Sequence, residues 1–143
     1  MKTLKQLLDE HPRTPISVSP DSTVLSGLEL MAKHGIGAVL VMRDERLVGI
    51  FSERDYARKV VLLGKSSRET PMSDIMTTKV FYGRPEQTID EAMALMTDRH
   101  IRHMPVMDAD QHVIGVISLG DLVQETMSQQ AFLIKQLEQY IAS

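Results

Sequence analysis

Gly49-Ile50-Phe51-Ser52-Glu53-Arg54-Asp55 recurs 66 positions on as Gly115-Val116-Ile117-Ser118-Leu119-Gly120-Asp121. A glycine, two apolar residues, a serine and an aspartate at the same offsets make the chain a tandem repeat. Aligned backwards, Pro20 falls on Pro85, Thr23 on Thr88, Val24 on Ile89, Leu28 on Met93, Leu30-Met31 on Leu95-Met96, and Val41-Met42 on Val106-Met107. The second copy carries one extra residue around Asp108-Ala109-Asp110-Gln111, a turn-length difference.

Each copy has the same order of elements. In the first, Ile16-Ser17-Val18 alternates like a short strand, and Val24, Leu28 and Met31 share one face of a helix that stops at Gly35 and Gly37. Ala38 to Met42 and Leu47 to Phe51 are apolar runs joined by Arg43-Asp44-Glu45-Arg46, which reads as a buried hairpin. A further helix starts near Ser52, carries Tyr56, Val60 and Leu63 inward and ends at Gly64. In the second copy Thr88 to Glu91 has capping-box spacing, and Met104 to Met107 with Val113 to Ile117 form the hairpin.

The pattern predicts an α+β protein of two β-α-β-β-α repeats. Residues 1–11 form a leading helix with Leu4, Leu7 and Leu8 on one face, 12–64 the first repeat, 65–77 a linker with a helical turn at Ser73-Asp74-Ile75-Met76, 78–125 the second repeat, and 126–143 a C-terminal helix. That last helix has apolar residues spaced by threes and fours, from Val123 and Met127 to Leu137 and Ile141. It either packs back on its own module or meets a second copy. Repeats of this size are marginal alone and should share a core.

A net charge of −3 with mixed signs gives no broad electrostatic footprint for nucleic acid. The absence of cysteine removes disulfide and thiol chemistry. No stretch has the apolar length of a membrane span, and the first residues lack a signal-peptide run, so a cytoplasmic protein with no membrane contact is expected. His100 and His103 lack partners that would complete a metal site, and no nucleophile elbow accompanies Ser118, His103 and Asp121. No metal and no enzyme activity are expected.

Serine followed three residues later by an acid is a common helix cap. In a duplicated unit, with each pair opening a helix beside a shared cleft, the same groups also suit a ribonucleotide. A hydroxyl and free amides at a helix start accommodate phosphate, and a carboxylate accepts two hydrogen bonds from a ribose diol.

With these endings, the Pro-x-x-Thr pattern before each first helix, Ser73-Asp74-Ile75-Met76-Thr77, and Arg102-His103-Met104-Pro105-Val106, residues 12 to 125 resemble a tandem pair of CBS (cystathionine beta-synthase) domains, the Bateman module. The resemblance implies two pseudo-symmetric repeats packed sheet to sheet, with clefts that hold an adenosine ligand such as AMP, ADP, ATP, NAD or S-adenosylmethionine. By the same resemblance Asp55 and Asp121 hold ribose, and Ser52, Arg54, Arg102, His103 and Ser118 face phosphate. Ile16, Ile36 and Gly37 line one adenine pocket, and Phe81 and Ile101 the other. A non-catalytic sensor follows, a homodimer that modulates an unidentified protein partner or its own assembly. The alternative is a ligand-free scaffold acting through the C-terminal helix.

Overall fold

The computed structural model describes residues 1–142; Ser143, the end of the expected C-terminal helix, lies outside the described residues. Helix α1 spans Leu4–Glu10 and is capped by Thr3, whose hydroxyl accepts the Gln6 amide while the Gln6 side chain takes the Thr3 amide. Repeat 1 follows as β1 (Ser17–Val18), α2 (Val24–His34), β2 (Ala38–Arg43), β3 (Arg46–Ser52) and α3 (Glu53–Asp55). Repeat 2 has α4 (Ile89–Asp98), β4 (His103–Met107), β5 (Val113–Ser118) and α5 (Leu119–Ala142).

Strand β1 runs parallel to β2, which pairs antiparallel with β3; β4 and β5 form the matching antiparallel hairpin. The counterpart of β1 in repeat 2 shrinks to one parallel bridge, Gly83 to Val106. Both hairpins shift register at equivalent places, Val41/Met42 and Val106/Met107. The extra residue of the second copy sits in its longer turn, between β4 and β5, as the alignment indicates.

Each sheet is covered on both faces, which is why its strands read as continuous apolar runs rather than alternations. Val39, Val41 and Phe51 pack under the helices of repeat 1, and Met104, Val106 and Ile117 under those of repeat 2. Leu40, Ile50 and Val116 face the opposite way and line the cleft where the two sheets meet.

The segments that lead into the repeats are exchanged. Helix α1 packs on repeat 2: Leu4 and Leu7 join its core, Leu4 N–H bonds to Gln87 O, and Lys5 N–H to Pro85 O. The linker turn Met72–Asp74 packs on repeat 1: Met72 and Ile75 enter that core, Met72 N–H bonds to Ser22 O, and Ser73 N–H to Pro20 O. Leu4 and Met72 therefore occupy equivalent places, and the repeated glycines explain themselves. A Cβ on Gly49 would lie 2.7 Å from Met76 Sδ, and one on Gly115 2.6 Å from Leu8 Cδ2. Each glycine makes room for the side chain of a leading segment.

One expectation about helices changes, and one open alternative narrows. After α3 the chain widens into a π-helix over Tyr56–Val61, with Leu62 N–H bonded to Ala57 O. The wider turn carries Leu63 out to solvent, 64% exposed, while Val60 stays buried. Helix α5 buries only Leu122 fully and does not fold back on its module. Residues 128–142 are exposed throughout, a projection of about 22 Å at 1.5 Å per residue.

Candidate nucleotide cleft

Asp121 lies in the first turn of α5 because β5 ends at Ser118, whose N–H donates to Asp121 Oδ2 at 2.9 Å while its hydroxyl accepts Asp121 N–H at 3.0 Å. This reciprocal pair caps the helix. It occupies one carboxylate oxygen, which Arg13 Nη2 also approaches at 3.5 Å. Oδ1 has no protein partner among the described residues.

Asp121 opens on a cavity of about 570 Å3 that spans the two repeats. Repeat 2 contributes Ser118, Asp121, His103 and Val116; repeat 1 contributes Ile16, Ile36, Gly37 and Leu40. Apolar walls from one repeat thus face the polar groups of the other, an exchange set by packing sheet against sheet.

His103 reaches across to Gly37, where a Cβ would stand 3.1 Å from its Cε1. Burial pushes its imidazole below the usual histidine range, outweighing the attraction of Glu53 and Asp121. At neutral pH it is therefore an uncharged donor and acceptor. Arg102, one residue earlier, is exposed and lines a separate groove of about 840 Å3 along α5, together with Val123, Met127 and Ala131. His103 and Ser118 line both the cleft and this groove.

The matching residues of repeat 1 are differently placed. Asp55 is only 8% exposed, and its carboxylate is occupied on both oxygens. Oδ2 accepts Ser52 N–H at 3.0 Å and the Ser52 hydroxyl at 3.2 Å; Oδ1 accepts the Thr77 hydroxyl at 3.0 Å and meets Lys59 Nζ at 3.2 Å. Arg54 donates to His100 O at 2.6 Å, tying α3 to the turn after α4. Phe81 lies under the Arg99 guanidinium at 4.8 Å, and Ile101 packs on the repeat 2 core. Ser52, Arg54, Asp55, Phe81 and Ile101 line neither the cleft nor the α5 groove.

Arg13, Lys59 and Thr77 join the two aspartates without being expected there from the sequence. Lys59 stands four residues after Asp55 on a helix, a spacing that signals an ion pair. Thr77 ends the Ser73-Asp74-Ile75-Met76-Thr77 motif and nothing local marks Arg13; both come to the aspartates through the exchanged segments.

Among the described residues, two clusters have metal-ligating atoms close together. In the cluster of Glu10, His11 and Glu125, the Lys2 ammonium already bridges the two carboxylates. Asp108, Asp110 and His112 form an exposed hairpin turn in which Asp108 accepts two backbone amides. No described helix is long and apolar enough to cross a membrane.

Duplicated β-α-β-β-α units, each with a strand that ends in a Ser-x-x-Asp helix cap, and a cleft between them define a CBS-domain pair. The chain belongs to that family: the CBS domain model matches residues 8–62 and again 72–128. It is 39% identical over 126 residues to the mitochondrial CBS domain-containing protein CBSX3 of Arabidopsis thaliana, covering 85% of this chain and 61% of that protein's length. A solved CBS-domain protein from Burkholderia ambifaria superimposes with a TM-score of 0.86 at 46% identity, over 90% of this chain and 96% of that one. CBSX2, solved in complex with AMP, shares the fold with a TM-score of 0.70 at 24% identity, over 83% and 92% of the two chains.

Proposed function

We propose that the protein is a non-catalytic regulatory module that holds one adenosine nucleotide between its repeats, with the ribose on Asp121. One observation carries this reading: the cleft's only carboxylate keeps Oδ1 without a protein partner, opposite the apolar Ile16, Ile36 and Gly37 of the other repeat. Oδ1 then accepts from the ribose diol while the base lies against the apolar wall. A volume of about 570 Å3 suits a small-molecule site, where roughly 300 to 1,000 Å3 is usual. The AMP complex of CBSX2 supports AMP as the first ligand to try.

Thermal unfolding against AMP, ADP, ATP, NAD, S-adenosylmethionine and 2′-deoxy-AMP tests this. At one hundred times its dissociation constant a ligand adds about 2.7 kcal/mol, a rise of several degrees for a domain of this size. One ribonucleotide should give that rise, and its 2′-deoxy form should not. Silence from the whole panel would leave the scaffold reading.

The output is assembly through α5. Met127, Phe132, Ile134, Leu137 and Ile141 are 53–83% exposed, and Met127, Ile134, Leu137 and Ile141 fall on a heptad seam. Two copies related by a two-fold axis bury this face against itself. Because His103 and Ser118 line both the cleft and the α5 groove, a bound nucleotide biases the groove if it prefers one arrangement of that shared wall. Ile134→Asp with Leu137→Asp should turn a dimer into a monomer by light scattering; an unchanged mass would remove α5 from the interface.

A further inference from the structure

We propose that Arg13 is the residue that lets this cleft accept an anionic nucleotide and distinguish it from the neutral nucleoside. The inference rests on the ribose assignment to Asp121. Among the residues lining the cleft, Asp121 is the only carboxylate and Arg13 the only permanent cation. The remaining basic groups there are histidines: His11, His34 and the half-buried His103, whose desolvation favours the neutral form. Arg102, the cation expected beside phosphate, lines the α5 groove instead.

A carboxylate that holds ribose also repels the phosphate of the same ligand, so a compensating charge is needed within a few ångströms. Arg13 supplies it, with Nη2 3.5 Å from Asp121 Oδ2 and Oδ1 left to the ribose. Its contact is single and long, and its side chain is 66% exposed. The guanidinium fork is therefore free to turn toward a phosphate, which it can grip with two parallel bonds. Residues 11–16 form neither helix nor strand, and Pro12 and Pro15 restrict the backbone on either side of Arg13-Thr14.

The test is titration calorimetry of AMP and adenosine against the full chain, Arg13→Gln and Arg13→Lys, at low and high salt. Arg13→Gln should weaken AMP about tenfold, the effect of losing one charge-assisted contact, and leave adenosine within twofold. It should also flatten the salt dependence of AMP binding. Arg13→Lys should keep part of the preference, since charge survives and the fork does not. Equal losses for AMP and adenosine, or no loss for AMP, would overturn the role of Arg13 while leaving the cleft assignment standing. Failure of the unaltered protein to bind either compound would overturn the cleft assignment, and the role of Arg13 with it.

Discussion

Asp121→Ala is expected to erase the nucleotide-induced rise in unfolding temperature, whereas Asp55→Ala is expected to keep it. Two hydrogen bonds from a ribose diol to a carboxylate, at about 1.5 kcal/mol or more each, amount to roughly a hundredfold in affinity. A ligand supplied at one hundred times the original dissociation constant is then only at its new one, and contributes about 0.4 kcal/mol instead of 2.7. The unliganded Asp121→Ala protein should lose about 1 kcal/mol for the missing cap, so the comparison is the increment within each variant. Asp55 differs because it is buried, with Ser52, Thr77 and Lys59 on its two oxygens. Removing it leaves those donors unpaired, at a cost of about 1–3 kcal/mol, and should not touch the increment. The reverse pattern, a response lost with Asp55 and kept without Asp121, would move the ribose to the other aspartate.

Leu4→Ala should destabilise the protein by about 2–5 kcal/mol, the range for truncating a fully buried leucine. Leu4 is 0% exposed and packs in the repeat 2 core with Met96, Met104 and Ile117. Urea unfolding gives the total, and amide exchange shows where it falls. Protection at Met104, Val106 and Ile117 should drop further than at Val39 and Val41. A loss below about 1 kcal/mol would mean that α1 rests on repeat 2 without anchoring it; a uniform loss would mean that the repeats open as one unit.

The duplication was legible because both copies solve the same local problem. A continuous apolar run needs a sheet buried on both faces, and Ser-x-x-Asp starts a helix wherever it follows such a strand. Thr88 is readable as a cap from its spacing to Glu91, and both it and its aligned partner Thr23 accept the amide three residues on. A period of 3.6 points Leu63 inward, and the helix that widens before it carries it outward instead. The paired basic residues before Met104 look alike in the sequence, yet Arg102 lines only the groove along α5 while His103 also reaches the cleft wall.

The sequence by itself determined the repeat, its α+β order of elements, the caps and the kinship with CBS domains, since all of these depend on residues close together in the chain. Only the tertiary structure decided that the two aspartates are unequal. Leading segments exchanged between repeats bring Thr77 to Asp55 and Arg13 to Asp121. Gly37, standing where repeat 2 has Arg102, leaves the space that His103 fills. These are contacts between distant segments, and neither periodicity nor spacing along the chain encodes which segment arrives beside which carboxylate.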